Sequence, residues 1–236
     1  MKILLDTANL EKIREYVDSF PIVGVTTNPT ILTREGGSDP VDTLIRIRQV
    51  LGKDRELHVQ LTETTYKKMI EEAYIITRIL GDNTYIKVPV SDVGLKVTKK
   101  LTEDGINVTQ TAILTATQAM LAAEAGAKYV APYVSRLDNI MGDGISTIAD
   151  ISEIFVNGGY ETKILAASFK TAKQVLDTAL AGAETATVSV DIFKKLYEHP
   201  ITSSSIDGFT NDWTNTYGDT LLELFKKVNP NSHFGY

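Results

Sequence analysis

The chain has 236 residues, a formal net charge of −6, 43% hydrophobic residues and no cysteine. That length and hydrophobic content suit one large domain or two small ones and exclude disorder as the main state. The mild acidity speaks against a nucleic-acid partner, and the lack of cysteine excludes disulfides, thiolate metal sites and a thiol nucleophile.

Along the chain, strand-like and helix-like segments alternate. Residues 3–6 read as a first strand. A helix over 10–20 follows with apolar Leu10, Ile13 and Val17, and Thr7 is its candidate cap. Asp6 comes too early for a signal peptide, and no apolar run nears the ~20 residues that span a membrane, so a cytoplasmic protein is expected. A second strand over 22–26 leads into Thr27-Asn28-Pro29-Thr30, read as a turn fixed by Pro29. Pro40 opens a helix to 51 with Asp39 as cap. The third strand, 56–60, precedes a helix over 65–80. The fourth, 85–90, is Tyr-Ile-Lys-Val-Pro-Val, and Ser91 caps a helix to 102. The fifth, 106–111, is followed by a helix over 116–125, with Thr115 and Gln118 at capping-box spacing. The sixth, 128–133, leads to a loop over 134–144 and a helix over 145–156. The seventh, 163–167, is followed by Ser168-Phe169-Lys170 and a helix over 171–181. The eighth, 185–190, precedes a short helix capped by Asp191. One more amphipathic helix, interrupted near Gly218, is expected over 203–228.

Eight such units without a linker fit a single (β/α)8 barrel over 1–236, with 203–236 as a C-terminal helical extension. A Rossmann-like sheet of six or seven strands is the alternative. In the barrel, chemistry belongs at the C-terminal ends of the strands. Strand parity sends Asp6, Gln60 and Lys87 inward near those ends. Asn107, Thr109 and Thr111 share the inward face of the fifth strand, and Tyr133 is in phase with Ala131. Asn28 lies just past the second strand. Ser168 is read in phase with Ile164 and Ala166, and Ser189 lies near the end of the eighth strand.

A lysine in the middle of an apolar strand is either an edge or rim residue or a desolvated nucleophile. The converging polar residues favour the second for Lys87. Arg136 and Lys170, with Ser168 just before a helix N-terminus, make a candidate anion site. Of the three histidines, His58 reads as packed and hydrogen-bonded, His199 precedes Pro200, and His233 is in the tail. No His and carboxylate cluster has metal-ligand spacing, and there is no P-loop or G-x-G-x-x-G, so no cofactor or metal is expected. A lysine nucleophile, a tyrosine, an aspartate and an anion site suit Schiff-base chemistry on a phosphorylated keto sugar. A non-catalytic sugar-phosphate-binding barrel is the reading of another class.

The motifs Leu5-Asp6-Thr7, Gly24-Val25-Thr26-Thr27-Asn28-Pro29, Ile86-Lys87-Val88-Pro89, Gly105-Ile106-Asn107, Ala131-Pro132-Tyr133-Val134-Ser135-Arg136 and Ala166-Ala167-Ser168-Phe169-Lys170 run through most of the chain. In these the chain resembles the transaldolase family, in particular its small members that include fructose-6-phosphate aldolase. The resemblance implies a (β/α)8 barrel with Lys87 as the Schiff-base lysine and Asp6 assisting proton transfer. It implies dihydroxyacetone contacts at Asn28, with Thr26 and Thr109 nearby, and a phosphate held by Arg136, Ser168 and Lys170. True transaldolases of the family carry glutamate and phenylalanine at the positions of Gln60 and Tyr133. The aldolase members carry glutamine and tyrosine, as here. The resemblance thus implies Tyr133 as proton shuttle, with Gln60 and Thr111 holding a catalytic water. It also implies a homo-oligomer, a pentamer or decamer, with the helix around Trp213 across a neighbour; that helix could equally close its own barrel.

Overall fold

The computed structural model describes residues 1–228. Eight strands alternate with helices: β1 (Lys2–Asp6), α1 (Leu10–Ser19), β2 (Ile22–Thr26), α2 (Pro29–Glu35), α3 (Pro40–Leu51), β3 (Glu56–Gln60), α4 (Tyr66–Leu80), β4 (Thr84–Pro89), α5 (Asp92–Glu103), β5 (Asn107–Ile113), α6 (Ala116–Glu124), β6 (Tyr129–Pro132), α7 (Val134–Asp138), α8 (Gly144–Gly158), β7 (Lys163–Ala166), α9 (Ala172–Leu180), β8 (Thr185–Val188), α10 (Val190–Tyr197), α11 (Pro200–Tyr217) and α12 (Leu221–Lys226). The strands pair in sequence order, all parallel, and β8 returns to β1 to close the barrel. The eight-stranded reading therefore holds against the open sheet.

Parity explains why the barrel closes around these sequences. One face of each strand meets the helices: Leu5, Val25, Leu57, Val59, Val130, Ile164, Ala166, Ala186 and Val188 join one buried cluster with residues such as Ile13, Ile47 and Ile148, and Ile86, Val88 and Val108 of β4 and β5 join a second with Val97 and Leu101. The other face fills the interior, where Leu4, Tyr129 and Leu165 pack together against Val23 and Tyr85. Burying apolar area on both faces is what drives a parallel sheet to be covered and closed.

Several local expectations change. The cap of α1 is Asn9, whose side chain accepts from Lys12 N; the Thr7 hydroxyl is turned instead to Glu35. The turn read over 27–30 is the start of α2: Asn28 caps it, accepting from Ile31 N at 2.9 Å, and Pro29 occupies the first turn, where its missing N–H is no loss. The loop read over 134–144 begins with the short α7. Ser189 accepts from Ile192 N at the start of α10, the role expected of Asp191. In β5, Ala112 has a left-handed φ of 60° and the register to β6 shifts between Thr111 and Ile113. That bulge extends the strand beyond Thr111 while Thr111 stays inward.

Met1–Phe193 form one compact unit, and the chain from Lys194 belongs to a second. In the second unit, the helix expected over 203–228 with an interruption near Gly218 is two helices, and the first begins earlier, at Pro200. Gly218, at φ 78°, ends α11, and Thr220 caps α12 by accepting from Glu223 N. The Trp213 indole N–H donates to the Asp219 carbonyl across this break. His233 lies outside the described residues. No described helix is long and apolar enough to cross a membrane.

Candidate active site

A cavity of about 730 Å³ opens at the C-terminal ends of the strands. Lys87, Asp6, Thr26, Thr111, Tyr133 and Thr187 line its inner part, and Asn28, Arg136, Ser168 and Lys170 its wall and mouth. A cavity of this size admits a small sugar phosphate.

Lys87 sits in the C-terminal half of β4, only 6% exposed. Its Nζ donates to the Thr27 carbonyl at 2.7 Å. Burial drives its pKa below the ordinary lysine value, and the Asp6 carboxylate opposes that only in part. Asp6 moves the other way: burial raises its pKa, against the pull of Lys87 and of a hydrogen bond from Thr26. Both groups are thus biased toward their neutral forms, an amine and a carboxylic acid, which are the forms needed to attack a carbonyl and to donate a proton. The Thr26 hydroxyl donates to Asp6 Oδ1 at 2.6 Å and lies 2.7 Å from the Thr187 hydroxyl, so β1, β2 and β8 jointly fix the carboxyl.

On the far side, the Tyr133 hydroxyl is 3.2 Å from the Thr111 hydroxyl. The Arg136 guanidinium lies over the Tyr133 ring, 4.4 Å from its centre, in cation–π geometry. Asn28 uses its side-chain carbonyl to cap α2, which leaves its amide N–H groups for a ligand. Ser168 reaches the cavity by a route that parity does not give. Ile164 and Ala166 face the helices, Leu165 and Ala167 face the cavity, and Ser168 is brought round by a left-handed φ of 65°. The phase assigned to Ser168 from the sequence is therefore corrected. Lys170 is exposed at the mouth, and its backbone N–H is held by Gln174 of the capping box that starts α9.

Two expected residues stand apart. Gln60 ends β3 in register beside Lys87 but is not among the cavity-lining residues. Thr109, in register with Lys87 on the other side, is fully buried and bonds to His58. Sequence reasoning missed Thr187, although the alternation of β8 would have sent it inward. It also missed Glu35 at the cavity rim, which accepts from the Thr7 hydroxyl at 2.6 Å and Ala8 N at 3.1 Å. Burial works against ionising Glu35, but bonds from Thr7, Arg34 and Ala8 outweigh it and hold the carboxyl below its usual pKa. No sequence signal links positions 27 or more residues apart, so only the fold reveals that clamp. Among the described residues no group of three His, Asp or Glu side chains could hold a metal ion.

The model of the family described as Transaldolase/Fructose-6-phosphate aldolase matches residues 3–228. A "Probable fructose-6-phosphate aldolase" of Streptococcus pneumoniae is 38% identical over 213 residues, which is 90% of this chain and 96% of that one. A "Probable transaldolase" of Thermoplasma volcanium is 39% identical over 236 residues, covering 99% of each chain, and one of Thermodesulfovibrio yellowstonii is 38% identical, covering 90% of this chain and 98% of that one. Among solved structures, a mandelate oxidase variant superposes with a TM-score of 0.55 at 15% identity, over 79% of this chain and 64% of that one. That likeness speaks to the barrel fold alone.

Proposed function

The chain belongs to the transaldolase/fructose-6-phosphate aldolase family, and from that premise we propose that it is a Schiff-base aldolase cleaving fructose 6-phosphate reversibly to dihydroxyacetone and glyceraldehyde 3-phosphate. The observation that carries this reading is the buried Lys87 amine, biased toward its neutral form and opening on the cavity.

The chemistry follows from the groups around it. The Lys87 amine adds to the C2 carbonyl, and loss of one water with uptake of one proton leaves an iminium. Deprotonation of the C4 hydroxyl lets the C3–C4 bond break. Its electron pair flows into the iminium, and glyceraldehyde 3-phosphate leaves an enamine on Lys87. Protonation of the enamine at C3 and addition of water at C2 release dihydroxyacetone and restore the amine. Asp6 and Tyr133 are the proton-carrying groups within the cavity, and Arg136, Ser168 and Lys170 supply cations and hydroxyl for the phosphate. Asn28 and Thr26 are assigned to the dihydroxyacetone end and Thr111 to the hydrolytic water, with Gln60 beside Lys87 on β3 supporting it; Thr109, fully buried against His58, is given no substrate contact. Tyr133 beside Thr111 favours protonation of the enamine, hence the aldolase outcome.

A second reading, transaldolase, passes the same enamine to erythrose 4-phosphate, and the relatives named probable transaldolase favour it. The two separate by product. Free dihydroxyacetone formed from fructose 6-phosphate without any acceptor supports the aldolase, and strict dependence on erythrose 4-phosphate overturns it. We further place the protein in the cytoplasm as a homo-oligomer, a pentamer or decamer, working on small sugar phosphates.

A further inference from the structure

Toward the N-terminal ends of the strands from Lys87 lies a buried polar group that the chemistry above does not use. Its centre is His58, with no exposed surface. His58 Nε2 is 3.2 Å from Glu56 Oε2, and Nδ1 is 2.9 Å from the Thr109 hydroxyl. Glu56 also accepts from the Tyr129 hydroxyl at 3.0 Å. The Tyr85 ring stacks on the imidazole, 4.5 Å between centres and 12° between planes. An ionised Glu56 can only accept, so Nε2 carries the hydrogen and Nδ1 accepts from Thr109. Burial disfavours the imidazolium, in keeping with that neutral tautomer. Tyr85, Thr109 and His58 each stand two residues before Lys87, Thr111 and Gln60 on their strands.

The main chain of the same residue is linked to the amine through Thr27. The His58 carbonyl accepts from Thr27 N at 2.9 Å and from the Thr27 hydroxyl at 3.1 Å. The Thr27 carbonyl in turn accepts the Lys87 N–H. We propose that His58 is a positioning residue for Lys87, acting through Thr27, whose carbonyl keeps one N–H of the reacting nitrogen at every stage of imine chemistry. This rests on Lys87 being the Schiff-base residue. A neutral amine that gives one hydrogen to Thr27 has its lone pair directed elsewhere, available to a carbonyl carbon. Addition to the ketone and loss of one water, with one proton taken up, give an iminium that still has one N–H. The enamine has one as well. One fixed acceptor therefore serves amine, carbinolamine, iminium and enamine, and its bond is strongest to the positively charged iminium. The side-chain network fixes the strand that bears the His58 carbonyl, and a fully satisfied buried network of this kind specifies one arrangement.

The test compares His58→Phe, His58→Gln and Thr27→Val with the wild type in fructose 6-phosphate cleavage and in borohydride trapping with dihydroxyacetone. Phenylalanine keeps the ring against Tyr85 and loses both hydrogen bonds. Glutamine restores an acceptor for Thr109 and a donor for Glu56. His58→Phe should lower kcat and the trapped fraction by about tenfold with KM within about twofold, and His58→Gln should recover most of the loss. Thr27→Val, which leaves the His58 side chain untouched, should show the same split and carries the test should His58→Phe fail to fold. The proposal is overturned by a folded His58→Phe or Thr27→Val with wild-type kcat and trapping, by loss in KM alone, or by a glutamine variant no better than phenylalanine. A wild-type protein that forms no adduct on Lys87 refutes the Schiff-base reading instead.

Discussion

Lys87 and Asp6 show how a residue pair is tuned by its surroundings. Burial favours the neutral form of each, and each opposes the other's shift. Since the Asp6 carboxylate raises the Lys87 pKa, Asp6→Asn should move the acid limb of the trapping profile to lower pH, because the amine then loses its proton sooner. An upward move of that limb contradicts the assignment. Tyr133→Phe tests the other side of the cavity. Losing a general acid costs roughly 100-fold in aldolase turnover, while imine trapping on Lys87 should stay close to wild type; equal loss of both argues against the shuttle. At this scale much of the candidate site could be read in the sequence. Alternation along β1, β4 and β5 puts Asp6, Lys87 and Thr111 on inward faces, and all three line the cavity. Ser168 could not be phased that way, because its left-handed backbone breaks the alternation. The Thr27 carbonyl was invisible as well, since a main-chain acceptor has no residue type to betray it.

At the scale of elements, the helix starts carry the site. Asn28 has two tasks, capping α2 with its carbonyl and facing the cavity. They can be separated. Asn28→Ala should lower stability by about 1 kcal/mol through loss of the cap, whereas Asn28→Asp keeps an acceptor there and should hold the melting temperature near wild type. Both should raise KM for the donor, as each lacks the amide N–H groups. A wild-type KM in Asn28→Asp removes Asn28 from the substrate site. The sequence showed most long helices because their apolar stripes repeat over several turns. It did not show α2 or α7. With seven and five residues they have too few turns to display a period, and Pro29 read as a turn marker when it marks a helix start. The break at Gly218 was legible, but its capped restart at Thr220 was not used.

For the molecule as a whole, eight alternating units in 236 residues were enough to indicate a closed barrel, because short connections and parallel strands leave few other topologies. The sequence could not show which distant residues meet, such as Thr26 with Thr187 or His58 with Thr109, since those contacts depend on closure and register. Light scattering on the purified protein tests the assembly we propose: a particle of five or ten chains of 25.9 kDa is expected, and a monomer contradicts it. The Schiff base we propose is a covalent event inside the barrel. The most direct measurement is peptide mass spectrometry after borohydride reduction with dihydroxyacetone. One reduced adduct is expected, on the peptide bearing Lys87, and it should be lost in Lys87→Met. An unmodified protein, or an adduct that persists in Lys87→Met, would contradict the Schiff base.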